Sequence, residues 1–132
     1  MENLQGTGKN DHPWGYEIVW TSTDKFCGKI LVFTKAGNKT SMTMHREKCK
    51  SWFINGGRLK MSYINTQTGE MQETEMTEGM TFEAGPMAPY QVECLQDETI
   101  VFEVSTPDVL TDNFKISSDG TPIEEQEQDH SS

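Results

Sequence analysis

Apolar and polar positions along this chain alternate with a period of two over most of its length. Arg58–Asn65 sets Leu59, Met61 and Tyr63 on one side and Lys60 and Ser62 on the other. Such alternation predicts a half-buried strand. Cys27–Thr34 is a nearly continuous apolar run, predicting a strand covered on both faces. Glu17–Trp20, Met80–Ala84 and Tyr90–Leu95 are shorter strand-like runs, and Thr99–Ser105 has the strongest strand character of all. Glu70–Met76 returns from Arg58–Asn65 across a loop ending at Gly69, which predicts a hairpin with Glu73 and Glu75 beside Lys60. About nine or ten strands, separated by glycine or proline turns and with no long helix, predict an all-β sandwich or barrel over residues 12–107. Periodicity alone leaves sandwich and barrel open.

The stretch Gly37–Gly57 organises the rest. Glycine turns bound it, and two short strand-like runs, Ser41–Met44 and Ser51–Ile54, lie between them. His45 follows the first run and is the only histidine in the middle of the chain. It has two readings: a hydrogen-bonded structural residue, or a general base or ligand contact, since its pKa lies near working pH. His12 and His130 lie near the termini and are expected to carry no chemistry. Trp14, Trp20 and Trp52 are expected in the core, with methionines such as Met42, Met44, Met80 and Met87 shaping an adaptable pocket.

Charge changes this picture more than composition does. The chain has 132 residues, enough for one domain with a real core, and a net charge of −10. That balance argues against a nucleic-acid or anionic-membrane partner. The charge is also segregated. Residues 25–60 hold nine of the eleven basic side chains, and residues 70–112 hold eleven acids and no basic residue. Either the halves pair across strands, or part of the basic half faces a ligand anion. Residues 1–11 are polar and expected to be flexible. Residues 114–132 read as an acidic tail without apolar residues enough to order it, most clearly from 119 onward. Cys27, Cys49 and Cys94 are an odd count without metal-type spacing. With no leader or membrane-length apolar run, they suggest free thiols in a cytoplasmic protein, though a Cys49–Cys94 bridge is conceivable.

The glycine-bounded stretch resembles the first motif of the cupin superfamily. That motif runs Gly, five residues, His, any residue, His, three residues, Glu, six residues, Gly. Here it falls on Gly37, Thr43, His45, Cys49 and Gly56. Gly79–Cys94 is similar to the second motif, with Tyr90 at its histidine position. Residues 12–20 and Glu103–Pro107 resemble the start and end of the small cupin domain of type II mannose-6-phosphate isomerases. The resemblance covers residues 12–113. It implies a cupin-type double-stranded β-helix, a jelly-roll barrel, and a homodimer pairing through sheet edges.

The resemblance also implies a site at Thr43, His45, Cys49 and Tyr90, with His45 as its catalytic candidate. Cupins commonly hold a divalent metal there through histidines and a glutamate. Only His45 and Cys49 remain as ligands, so the expectation is a remnant site without a cofactor, a divalent metal remaining possible with further ligands. Three functions stay open. The chain is a barrel that binds a small molecule, such as a sugar phosphate; or a sugar-phosphate isomerase; or a structural dimer. An isomerase without its metal needs a lysine or arginine as electrophile, and Arg46, Lys48 and Lys50 are near in sequence.

Overall fold

A computed structural model describes residues 6–107 and, as backbone, 113–115. It is all-β, with no helix among the described residues. The strands are β1 (Gly8–His12), β2 (Gly15–Ser22), β3 (Cys27–Phe33), β4 (Thr43–His45), β5 (Lys50–Gly56) and β6 (Arg58–Ile64). They continue with β7 (Met71–Thr77), β8 (Thr81–Ala84), β9 (Tyr90–Cys94), β10 (Thr99–Ser105) and β11 (Asn113–Lys115). Two antiparallel sheets form, in the orders β1-β2-β3-β10-β5-β8 and β11-β4-β9-β6-β7. From β3 to β6, and again from β7 to β11, successive strands alternate between the sheets. The chain thereby winds the two sheets around one interior as a jelly-roll barrel.

Residues of one parity from each sheet fill that interior. Leu31, Phe33, Trp52, Ile54 and Val101 meet Leu59, Met61, Met76, Val92 and Cys94 from the facing sheet, and Trp14 joins them. The crossing from β5 to β6 needs glycine: Gly57 has φ of 97°, and a Cβ there would lie 2.7 Å from the Thr99 Cα. The hairpin of β6 and β7 forms with Lys60 opposite Glu75, and ion pairs join Arg58 to Glu75 (2.8 Å) and Lys60 to Glu73 (3.8 Å) and Glu93 (3.4 Å). The predicted cross-strand charge pairing holds on this outer face.

Several expectations need correction. Strand β1 begins ahead of residue 12, so residues 8–11 belong to the first sheet. Strand β11 runs into the segment read as tail, while residues 119–132 lie outside the described residues. Cys27, Cys49 and Cys94 form no disulfide, as expected. Trp20 is half exposed, as are Met80 and Met87, so that tryptophan lies outside the core and those two methionines do not line the interior.

Candidate functional site at one end of the barrel

The interior is not uniformly apolar. On the first sheet, strict alternation turns Lys50, Trp52 and Ile54 inward from β5. It likewise turns Thr99, Val101, Glu103 and Ser105 inward from β10. Glu103 pairs in register with Lys29 on β3 and with Trp52 on β5. The result is a buried charge cluster where the strands leave the apolar core. The Trp52 indole N–H donates to Glu103 Oε1 at 2.8 Å, and Lys50 Nζ lies 3.4 Å from the same oxygen. Lys48 Nζ lies 3.6 Å from Glu103 Oε2. Burial on its own would push the Glu103 carboxyl up. The ammoniums of Lys50, Lys48 and Lys29 and the indole N–H overcome that penalty and hold it well below the usual carboxylate range.

The second sheet supplies the facing wall. Thr43 and Tyr90 are cross-strand partners on β4 and β9, and both are buried, as is His45. Lys50 bridges the two walls by donating a hydrogen bond from its ammonium to the Tyr90 hydroxyl. Its charge also sits 4.9 Å from the centre of the Tyr90 ring and 5.7 Å from that of Trp52. Aromatic faces of this kind favour a desolvated cation.

A second buried carboxylate continues the polar layer along the sheet. Glu17 on β2 accepts from Asn10 Nδ2 at 3.0 Å and from Lys29 Nζ at 3.4 Å. His12 Nε2 lies 3.4 Å from it, with the imidazole stacked on Trp14. From His12 to Tyr90 the layer thus crosses β1, β2, β3, β10 and β5 and reaches the opposite sheet.

Of the four positions expected in the site, the structure gathers Thr43, His45 and Tyr90 on one wall. It does not bring Cys49 to them. Cys49 is exposed, while Lys48 and Lys50 on either side of it are buried. The expected ligand pair His45 and Cys49 is therefore not assembled. Among the described residues no group of three or more His, Cys, Asp or Glu is able to hold a metal ion. The donors present do not suit a divalent cation either: two neutral hydroxyls and one imidazole share the space with the Lys50 ammonium. Arg46 is exposed, so of the three candidate electrophiles only Lys48 and Lys50 face inward.

A groove of about 530 Å³ is lined by Phe26, Cys49, Lys50, Ala84, Val104 and Ser105.

No family model matches the chain, and no curated protein matches it. Solved structures do. Oxalate decarboxylase from Bacillus subtilis superposes with a TM-score of 0.72 at 12% identity, over 87% of this chain and 32% of that one. CapF from Staphylococcus aureus, a capsular polysaccharide assembling protein, gives 0.67 at 14%, over 86% and 34%. KdgF from Halomonas sp. gives 0.61 at 14%, over 78% of this chain and 94% of that one. The chain spans about a third of the first two proteins. All three are cupin-fold proteins, and this chain has the cupin-type double-stranded β-helix. Oxalate decarboxylase carries Mn(II) centres.

Proposed function

We propose that this protein is a small-molecule-binding cupin in which lysine has replaced metal as the charge that holds the ligand. The observation that carries the reading is Lys50. Its ammonium sits inside the barrel and touches both walls through Glu103 and Tyr90, and the residue is among those lining the groove. A fixed ammonium attracts an anionic oxygen as a divalent ion would, without needing a set of anionic ligands to keep it in place. Lys48 adds a second cation, and Tyr90, Thr43 and His45 offer hydrogen bonds from the facing wall. The ligand class that suits this end is a small polyhydroxy anion, such as a sugar phosphate. The resemblance to the cupin domain of mannose-6-phosphate isomerases points the same way.

A second reading is favoured by the burial of His45 and Lys50 at the same end of the barrel. Aldose–ketose isomerisation needs a base to move a proton between adjacent carbons and an electrophile to polarise the carbonyl. His45 is the base and the Lys50 ammonium the electrophile in this reading, with the lost metal's task carried by the cation.

Thermal denaturation with mannose 6-phosphate, inorganic phosphate and mannose tests the first reading. A ligand that binds only the native state raises the melting temperature. The phosphate ester is expected to raise it by several degrees and neutral mannose to leave it unchanged. Lys48→Met, at the margin of the cluster, is expected to reduce the shift. Equal shifts from the ester and the neutral sugar would overturn the anion reading. Conversion of mannose 6-phosphate to the ketose, abolished by His45→Gln with binding retained, would establish the second reading.

A further inference from the structure

Strand β5 loses its regularity just before it passes the chain to the second sheet. Its register against β10 sets Ile54 opposite Val101 and Gly56 opposite Ile100. Those two residues of β10 are adjacent, so Asn55 is an extra residue, a β-bulge. On the other side, the pairing of β5 with β8 ends at Phe53 and Thr81. Asn55 therefore has no register partner on either neighbouring strand. It is exposed, and its side chain makes no hydrogen bond among the described residues. Three other asparagines are held. Asn10 Nδ2 donates to Glu17 at 3.0 Å, Asn38 Nδ2 donates to the Trp14 carbonyl at 3.4 Å, and Asn65 Oδ1 accepts from the Gln67 N–H at 2.9 Å. Asn55 is also the one asparagine in the chain that glycine follows.

Gly56 completes the arrangement. It has no side chain to hinder approach, and a Cβ there would meet nothing within 4 Å, so the space around it is open. Glycine's backbone freedom lets its nitrogen turn toward the Asn55 side chain. That nitrogen, after losing its proton to hydroxide, attacks Asn55 Cγ. The Cγ–Nδ2 bond breaks, ammonia leaves and a cyclic succinimide closes. Water then opens the ring. Adding at Cγ, it leaves aspartate on an unchanged backbone. Adding at the main-chain carbonyl carbon, it leaves isoaspartate, whose backbone runs through Cγ and is longer by one methylene. Water is the only co-reactant, and nothing is oxidised or reduced.

We propose that Asn55 is a site of spontaneous deamidation, and that its isoaspartate product loosens the barrel where β5 crosses to β6. The crossing has little tolerance. Gly57 follows with φ of 97°, and a Cβ on it would lie 2.2 Å from Thr99 Oγ1. Thr99 is itself held, its hydroxyl accepting from the Arg58 N–H at 3.1 Å. A backbone lengthened between residues 55 and 56 cannot keep both this approach and the Ile54–Val101 pairing. The aspartate product, by contrast, adds a charge at an exposed position and leaves the backbone as it was. The site is independent of what the barrel binds, and it sets a chemical limit on how long the fold lasts.

Ageing of the full chain in mildly alkaline buffer, followed by peptide mapping that separates aspartate from isoaspartate, tests the proposal. Asn55 is expected to convert at least about tenfold faster than Asn10, Asn38 and Asn65, with isoaspartate among the products. Gly56→Ala is expected to fold, since its φ is not positive and its surroundings are open. It should slow conversion at least about tenfold, because a Cβ hinders the attacking nitrogen. Should that variant fail to fold, Asn55→Gln keeps the test sharp: its longer side chain closes a ring less readily, and position 55 is expected to stay unmodified. The isoaspartate-containing fraction is expected to melt several degrees below fresh protein, while Asn55→Asp melts with the wild type, as an exposed substitution should. Conversion of Asn55 no faster than that of the three bonded asparagines would overturn the site. So would a folded Gly56→Ala that ages at the wild-type rate. Equal melting of the isoaspartate fraction and fresh protein would overturn the effect on the barrel.

Discussion

Glu103 shows why the site was only half legible in the sequence. A charged residue in an alternating strand is normally assigned to the outward parity. In Thr99–Ser105 the apolar parity is Ile100, Phe102 and Val104, while Thr99, Glu103 and Ser105 share the other with Val101, so the pattern alone points the wrong face inward. The inward parity turned out to carry the acid. Lys50 was more readable, because it shares its parity with Trp52 and Ile54; the resemblance to a metal motif drew attention one residue away, to Cys49. A buried carboxylate surrounded by three ammoniums has a measurable signature. Its folded pKa lies below the unfolded one, so the unfolded state takes up its proton first on acidification. The stability it contributes is present above the ordinary glutamate pKa of about 4.3 and is lost as pH falls through the lower native value. Glu103→Gln removes the anion and leaves the ammoniums buried together, at a cost of about 3–5 kcal/mol at neutral pH. Urea denaturation at several pH values should show this loss, with a shallower fall in stability below about pH 4 than in the wild type. An equal cost at every pH would show that Glu103 acts through shape and not charge.

At the level of elements, alternation and turn residues were reliable guides. The strands expected from Cys27, Arg58, Tyr90 and Thr99 onward form within a residue or so of the expected bounds. Strand β1 was missed because its sequence, Gly8–His12, is polar and reads as a loop. Its inward residues, Asn10 and His12, are polar because they face Glu17 and not an apolar core. The glycine turns differ in what they tolerate. Gly57 and Gly79 both have positive φ, at 97° and 89°. A Cβ on Gly79 meets nothing within 4 Å, whereas on Gly57 it meets Thr99 at 2.2 Å. Thr99 has little room to yield: its hydroxyl accepts from the Arg58 N–H at 3.1 Å and donates to the Gln96 carbonyl at 2.6 Å. Gly79→Ala therefore carries backbone strain alone, about 1–2 kcal/mol. Gly57→Ala adds a clash and a disturbed crossing between sheets, about 2–4 kcal/mol in all. Chemical denaturation of the two variants compares these costs, and equal values would contradict the close approach at Thr99.

For the whole molecule, the question is whether the barrel keeps the frame of a metal-binding cupin under a different set of side chains. The resemblance in sequence aligned Thr43, His45, Cys49 and Tyr90 with ligand positions. In three dimensions Thr43, His45 and Tyr90 do share a wall, but the fourth inward position is Lys50, whose ammonium meets the Tyr90 hydroxyl. Two variants separate the alignment from the geometry. In the first, Thr43→His, Cys49→Glu and Tyr90→His are combined; its new glutamate takes an exposed position and faces away from the imidazoles. In the second, Lys50→Glu replaces Cys49→Glu. The new carboxylate then lies inward beside position 90, and a metal brings back the positive charge that Lys50 took away. A lone imidazole with two hydroxyls does not retain a divalent ion, whereas three imidazoles and a carboxylate make a strong set for zinc, nickel or manganese. The wild type and the first variant are expected to lose added metal on dialysis, and the second to keep about one equivalent. Elemental analysis decides between them. Metal held by the first variant and not the second would show that the Lys50 position does not face the other three. The reading of Lys50 as the cation in a former metal position would then fall with it.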